Sequence, residues 1–336
     1  MFRYVIILCG SPPYLFAKTH ETVLREYLEL PNGIPSHDTI ERVFGIIVPE
    51  ELEELHMRWA DAMSKGLGEE IKKILAIDGK TQRGNGNDEQ KANHIVSAVD
   101  NKGFCIGEKR VDEKSNEITA IQKLLKWLNI KNCIITIDSM GCYLIIVMLI
   151  IKGMADYMLG LKKNQPNFYE GVKSYFDDPN LLAGCAYYKV EENAHGALEK
   201  REYWQTTDIK SLPESKTWPG LSSIVMTKNT ITTDNKTVTE VRYFISSLPL
   251  NVKEAARAIR SHWMVESCHW HLDVTFREDA NRTLNKTAAY NLNIITKMAI
   301  NTLRVLDVGM PRVSMKNKRF LMNMNFKYYL DILMSF

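Results

Sequence analysis

The chain has 336 residues, 45% hydrophobic and 25% charged, with a formal net charge of only +3. That length allows a sizeable core in two domains, or in one with an insertion. The charge balance excludes a global basic footprint, so any nucleic-acid surface has to be local. Six scattered cysteines (9, 105, 133, 142, 185, 268) without CxxC spacing argue against a zinc ribbon or a disulfide framework and for a reduced, cytoplasmic setting.

In chain order, residues 1–66 read as a small helical region, although the first fifteen fit it poorly and residues 1–17 suggest a truncated or altered start. Residues 4–9 faintly resemble a signal-peptide core but lack a cleavage site. Residues 21–30 carry apolar side chains at helical spacing, and Pro49 opens a run through Leu55, Trp59 and Met63. The turn GIPSHD (33–38) lies between, with Ser36 or Asp38 as N-cap of the next helix.

The stretch KILAIDGKTQR (73–83) is an apolar run that ends in an acid, a glycine and polar side chains. Such a run is a strand buried on both faces, with Asp78 where it leaves the core. CIITID (133–138), followed by Ser139, Met140 and Gly141, repeats the design. Two such strands put two carboxylates together at one rim of a sheet, a metal site in outline. Residues 82–93 read as a mobile loop beside that site, 95–99 and 104–111 as a hairpin, and 115–128 as a helix. A helix over 141–152 is too short for the roughly 20 residues of a membrane span. A strand at 157–161 and a helix over 165–176 complete a mixed sheet covered by helices. From 181 to 250 short alternating segments read as a β-rich insertion, and 252–273 returns to helix.

Hard cations want several oxygen ligands, so a third carboxylate is expected. RSHWMVESCHWHLD (260–273) offers Glu266; FRED (276–279) offers Glu278 as a rival. Here the sequence resembles the DDE transposases of bacterial insertion sequences, of the ISAs or H-repeat-associated type. The matching blocks are DGKT (78–81), Arg83 with Gly84, IVSA (95–98), KSNEI (114–118), TIDSMGC (136–142), Lys162 with Asn164 and Gln165, His195 with Gly196, and 262–279.

The resemblance implies a ribonuclease H-like α/β fold: a mixed sheet flanked by helices, with a β-rich insertion before the last catalytic helix and a small N-terminal helical region. Its core would occupy 70–180 and 251–310, with a basic segment and helix over 311–336. It implies Asp78, Asp138 and Glu266 as ligands of two Mg²⁺ ions, with Mn²⁺ able to substitute. The reaction would be cleavage of double-stranded DNA at terminal inverted repeats and joining to target DNA by a homo-oligomer, with no membrane involved. Lys80, Arg83, Lys162, Lys163, Asn164, Arg260, Lys318 and Arg319 are the DNA-contact candidates.

Ile259, His262 and Asp273 stand where related enzymes carry tyrosine, arginine and lysine, so Arg260, Arg277 and Lys286 are alternative phosphate contacts. Ala197 stands where an arginine commonly follows His195 and Gly196. An inactive DNA-binding remnant and a structure-specific nuclease are the alternative readings. Trp263 and Trp270, seven apart, are expected in the core, as are His262, His269 and His271 with hydrogen-bonded rings.

Overall fold

Two apolar runs, each too short for a helix and flanked by turn residues, form neighbouring parallel strands: β1 (Ile74–Thr81) and β4 (Ile134–Ile137). Ile74, Leu75, Ala76 and Ile77 are all buried, as a two-sided strand requires. The computed structural model describes residues 13–65, 72–112, 116–194, 196–212, 214–234 and 236–334. The start of the chain, the signal-like residues 4–9 and His195 lie outside them. The chain divides into two discontinuous units, Met1–Glu69 with Gly79–Val111 and Val265–Phe336, and Glu70–Asp78 with Asp112–Met264.

In the first unit, α1 (Pro13–Thr19), α2 (Glu21–Tyr27), α3 (His37–Ile46) and α4 (Pro49–Lys65) precede the hairpin β2 (His94–Asp100) and β3 (Cys105–Arg110). Ser36 is the N-cap of α3, accepting the Thr39 amide at 3.2 Å. The hairpin tip is built by Asp100, whose Oδ1 accepts the amides of Lys102 at 3.0 Å and Phe104 at 2.9 Å. The unit closes with α11 (Lys286–Val305), α12 (Met315–Met324) and α13 (Phe326–Met334). Tyr290 and Ile294 of α11 pack on Leu52 and Ile95, and Ala288 on Ile40 and Phe44.

Of residues 82–93, expected to be a mobile loop, Gln82, Asn85 and Asn93 are tied by buried amides. Asn85 and Asn93 both donate to Gln82 Oε1 at 3.1 Å, and Asn93 Nδ2 reaches Lys286 O at 3.0 Å. Composition misleads here because glycine and asparagine serve an ordered side-chain network as readily as a loose loop.

In the second unit the order is β1, β4, β5 (Asp156–Leu161), β9 (Lys236–Ser246), β8 (Ser223–Thr233), β7 (Ala197–Thr206) and β6 (Ala186–Ala194). β1, β4 and β5 are parallel; β5 to β9 and the rest are antiparallel. α5 (Glu117–Trp127) and α6 (Leu144–Lys152) supply the connections between parallel strands. α7 (Pro166–Asp177) and α8 (Pro179–Ala183) lead into the insertion, and α9 (Val252–Ser261) sets Ala255 and Ala258 against Ile74, Ile134, Met158 and Val225. Among the described residues no helix is long and apolar enough to cross a membrane.

Candidate active site

β1 and β4 pair in register from Ile74 against Ile134 to Ile77 against Ile137. The next residue on each chain is an aspartate. Asp78 and Asp138 therefore stand at one level on neighbouring strands about 4.8 Å apart, although β1 runs on past Asp78 to Thr81 whereas β4 ends before Asp138.

Asp138 turns the chain into a 3-10 turn, Ser139–Gly141, by accepting the Met140 amide at 2.8 Å. A Cβ on Gly141 would stand 2.2 Å from Ile137 Cγ2, so only glycine permits so tight a departure from β4. Beyond β5, Asn164 Nδ2 donates to Ser139 O at 2.7 Å and Gln165 Nε2 to Cys142 O at 3.1 Å. Both side chains brace the loop that presents Asp138.

Thr136, two residues before Asp138 on the same strand face, shares a hydrogen bond of 3.1 Å with His262 Nδ1. Burial lowers the His262 pKa, outweighing the opposite pull of Asp138, so the ring is neutral at pH 7. The groups open on a cavity of about 450 Å³ lined by Asp138, His262, Tyr169, Arg242 and the exposed Lys162 and Lys163. Arg242 is paired with Glu240 at 2.8 Å. The carboxylate oxygens that Asp78 and Asp138 carry are of the kind a hard divalent cation takes.

The helix expected over 252–273 is interrupted: α9 ends at Ser261, α10 spans Trp263–Trp270, and His271–Thr275 is a π-helical turn closed by the Phe276 amide on His271 O at 3.0 Å. Such turns are frequent at functional sites, and no residue type announces one. Glu266, in the first turn of α10, is exposed.

Trp263 and Trp270 are not core residues as expected; they are 42% and 54% exposed. Both stand on the one helix α10, so the spacing does give them a common face, but spacing does not tell a packed face from a solvated one. The guanidinium of Arg260 lies over the Trp263 ring at 5.5 Å. His271 does bond its ring, Nδ1 meeting Thr275 Oγ1 at 3.1 Å.

Glu278, the rival carboxylate, is buried and bound by Lys80 Nζ at 3.1 Å, Gln82 Nε2 at 3.1 Å and Asn293 Nδ2. Lys80 itself is neutralised by three carboxylates, with Asp273 at 2.7 Å and Asp279 at 3.4 Å besides Glu278. Arg83 keeps an exposed side chain while its amide donates to Asp279 Oδ1 at 3.1 Å. Arg277 is exposed with left-handed backbone, φ +55°. Lys286 donates to Asn85 O at 3.2 Å.

The basic run at 316–319 is built into the fold more than its sequence suggests. Lys318 donates to the carbonyls of Leu303 at 2.8 Å and Leu306 at 2.6 Å; Arg319 donates to Thr275 O and covers the Phe276 ring at 4.2 Å.

One buried cluster escaped sequence reasoning. Among the described residues, His56, Cys105 and Glu108 bring nitrogen, sulfur and oxygen within 4.8 Å of one another. Lys297 Nζ lies 3.6 Å from Glu108 and donates to Ser97 Oγ at 2.8 Å, so an ammonium already supplies the positive charge. The signals for this cluster are a glutamate inside a buried strand and a lysine inside a buried helix, each legible only once those elements are known to be covered.

Comparison with known proteins adds a family. A family model described as "Transposase DDE domain" matches residues 69–302, and one described as "DDE_Tnp_1-associated" matches residues 14–60. The chain is 35% identical over 322 residues to "Putative transposase YncI" of Escherichia coli O157:H7, covering 93% of this chain and 81% of that protein. It is 36% identical over 310 residues to "H repeat-associated putative transposase YhhI" of Escherichia coli K12, covering 88% and 81%.

Proposed function

The chain belongs to the transposase family defined by the DDE domain, and from that premise we propose that it cuts DNA at transposon ends and joins those ends to a target. Asp78, Asp138 and Glu266 would hold two magnesium ions, with manganese as a substitute. The observation that supports this reading is the parallel register of β1 and β4, Ile77 against Ile137, each followed in sequence by an aspartate, Asp78 within β1 and Asp138 just beyond β4. A ribonuclease H-like fold belongs to the same proposal, supported by the parallel β1, β4 and β5 with helical connections. Glu266 is favoured as the third ligand because it stands exposed in the first turn of α10, whereas Glu278 is buried.

When bound, the ions would supply activation of an attacking oxygen and stabilisation of a leaving one. The chain's own residues do the positioning. The Met140 amide and Asn164 hold the Asp138 loop in place. Lys162, Lys163 and Arg83, exposed cations, are proposed to grip phosphates by charge-assisted hydrogen bonds. Neutral His262 packs beside Asp138 without adding a competing charge. Pairing of two ends by a homo-oligomer in the cytoplasm completes the proposal.

The test is Mg²⁺-dependent cleavage and joining of linear duplex DNA that carries the element's own ends. Asp138→Asn is expected to lose cleavage by on the order of a thousandfold while duplex binding persists. Undiminished cleavage in that variant rejects the assignment. A wild type that binds the ends without cutting them supports a DNA-binding role alone.

A further inference from the structure

The first unit holds a second basic feature, a pocket of about 620 Å³ lined by Lys102, His271, Arg304, Met315 and Lys318, with no acid in its lining. Arg304 stands in the last turn of α11, and its Nε and Nη2 atoms are buried without a hydrogen-bond partner. Unmade hydrogen bonds on a buried charged group are costly. A guanidinium held in that state is a fork waiting for an oxyanion.

The surrounding backbone is arranged to hold it. Gly103, at φ +86°, turns the β2–β3 hairpin, and a Cβ there would stand 2.5 Å from Arg304 Cζ. The glycine thus serves the turn and admits the guanidinium against the main chain, while placing Lys102 at the same mouth. The C-terminal carbonyls of α11 would repel an anion. Lys318 covers them, donating to Leu303 O and Leu306 O. The acid of the following loop, Asp307, accepts the Gly309 amide at 2.8 Å.

We propose that this pocket binds phosphate groups, with Arg304 as the bidentate contact and Lys102 as a second charge. Arg is the side chain suited to that planar, two-point recognition. On the proposed function, the source of the phosphate is the backbone of duplex DNA, held away from the reacting bond; the alternative source is free phosphate.

Wild type, Arg304→Gln and Lys102→Gln are compared in two assays without Mg²⁺. The first is thermal melting with and without inorganic phosphate. The second is duplex binding across a salt series. Phosphate is expected to raise the wild-type Tm and to lose that effect in Arg304→Gln. Each substitution is expected to weaken duplex binding severalfold and to reduce the slope of log K against log salt by about 0.9.

Lys102→Gln, on a surface turn, keeps the proposal testable if Arg304→Gln fails to fold. Loss of the phosphate effect with an unchanged salt slope identifies a free-phosphate site and removes DNA as the source. No phosphate effect together with unchanged slopes overturns the proposal. Asp138→Asn is expected to bind DNA with the full slope, so a failure of the catalytic reading is distinguishable from a failure of this one.

Discussion

Glu266 and Glu278 lie twelve positions apart and look alike in sequence, yet their surroundings assign them different work. Glu278→Gln removes a buried charge from the Lys80 network and is expected to cost about 3–5 kcal/mol of stability, read by urea unfolding. Glu266→Gln is expected to leave the unfolding midpoint within about 0.5 kcal/mol, as exposed substitutions do, and to abolish metal-dependent cleavage. If Glu266→Gln cuts normally, the third ligand is another residue. Asn164 tests the bracing of Asp138: Asn164→Ala forfeits the bond to Ser139 O, worth about 1 kcal/mol, and a displaced Asp138 is expected to slow cleavage about tenfold. Retention of the wild-type rate would show that the loop holds its shape unaided.

At the scale of elements, the departure from β4 is the tightest point of the site. Gly141→Ala places a methyl 2.2 Å from Ile137 Cγ2, and relief requires moving either the strand end or the turn capped by Asp138. The expected cost is about 1–3 kcal/mol, with a larger proportional loss of cleavage than of folded population; equal losses would show that the turn relaxes away from Asp138. Strands β1 and β4 were legible because an unbroken apolar run ending in a turn residue has few other structures. The α3 cap and the Asp100 hairpin were legible for the same local reason. The break between α9 and α10 and the π-turn after it were not, since they depend on what those segments pack against.

At the scale of the whole molecule, stability should carry the signature of the buried group around Glu108. Burial alone would raise the pKa of this carboxyl, but His56 and Lys297 hold it at about 2. Its folded value lies below the ordinary 4.5, so the unfolded chain takes up the proton first. The contribution is complete above pH 4.5 and is lost as pH falls from there through about 2. Urea unfolding across that range should show the decline. Glu108→Gln is expected to lose about 3–5 kcal/mol at neutral pH by stranding Lys297, and to flatten the acid decline. An equally steep decline in that variant would place its origin in other carboxylates.

The sequence by itself determined the elements that local chemistry dictates: the buried strands, the aspartates that follow their apolar runs, the caps and turns, and the family resemblance that the matching blocks carry. Only the tertiary structure decided which charges are spent. Lys80, Lys318 and Glu278 are engaged by residues or carbonyls elsewhere in the chain, whereas Lys162 and Lys163 remain exposed. It also decided that Asn164 holds a loop and that Trp263 and Trp270 face outward. The reason is that a charge in water and a charge in a buried pair have the same letter, and desolvation, which separates them, is set by neighbours that spacing along one chain does not reveal.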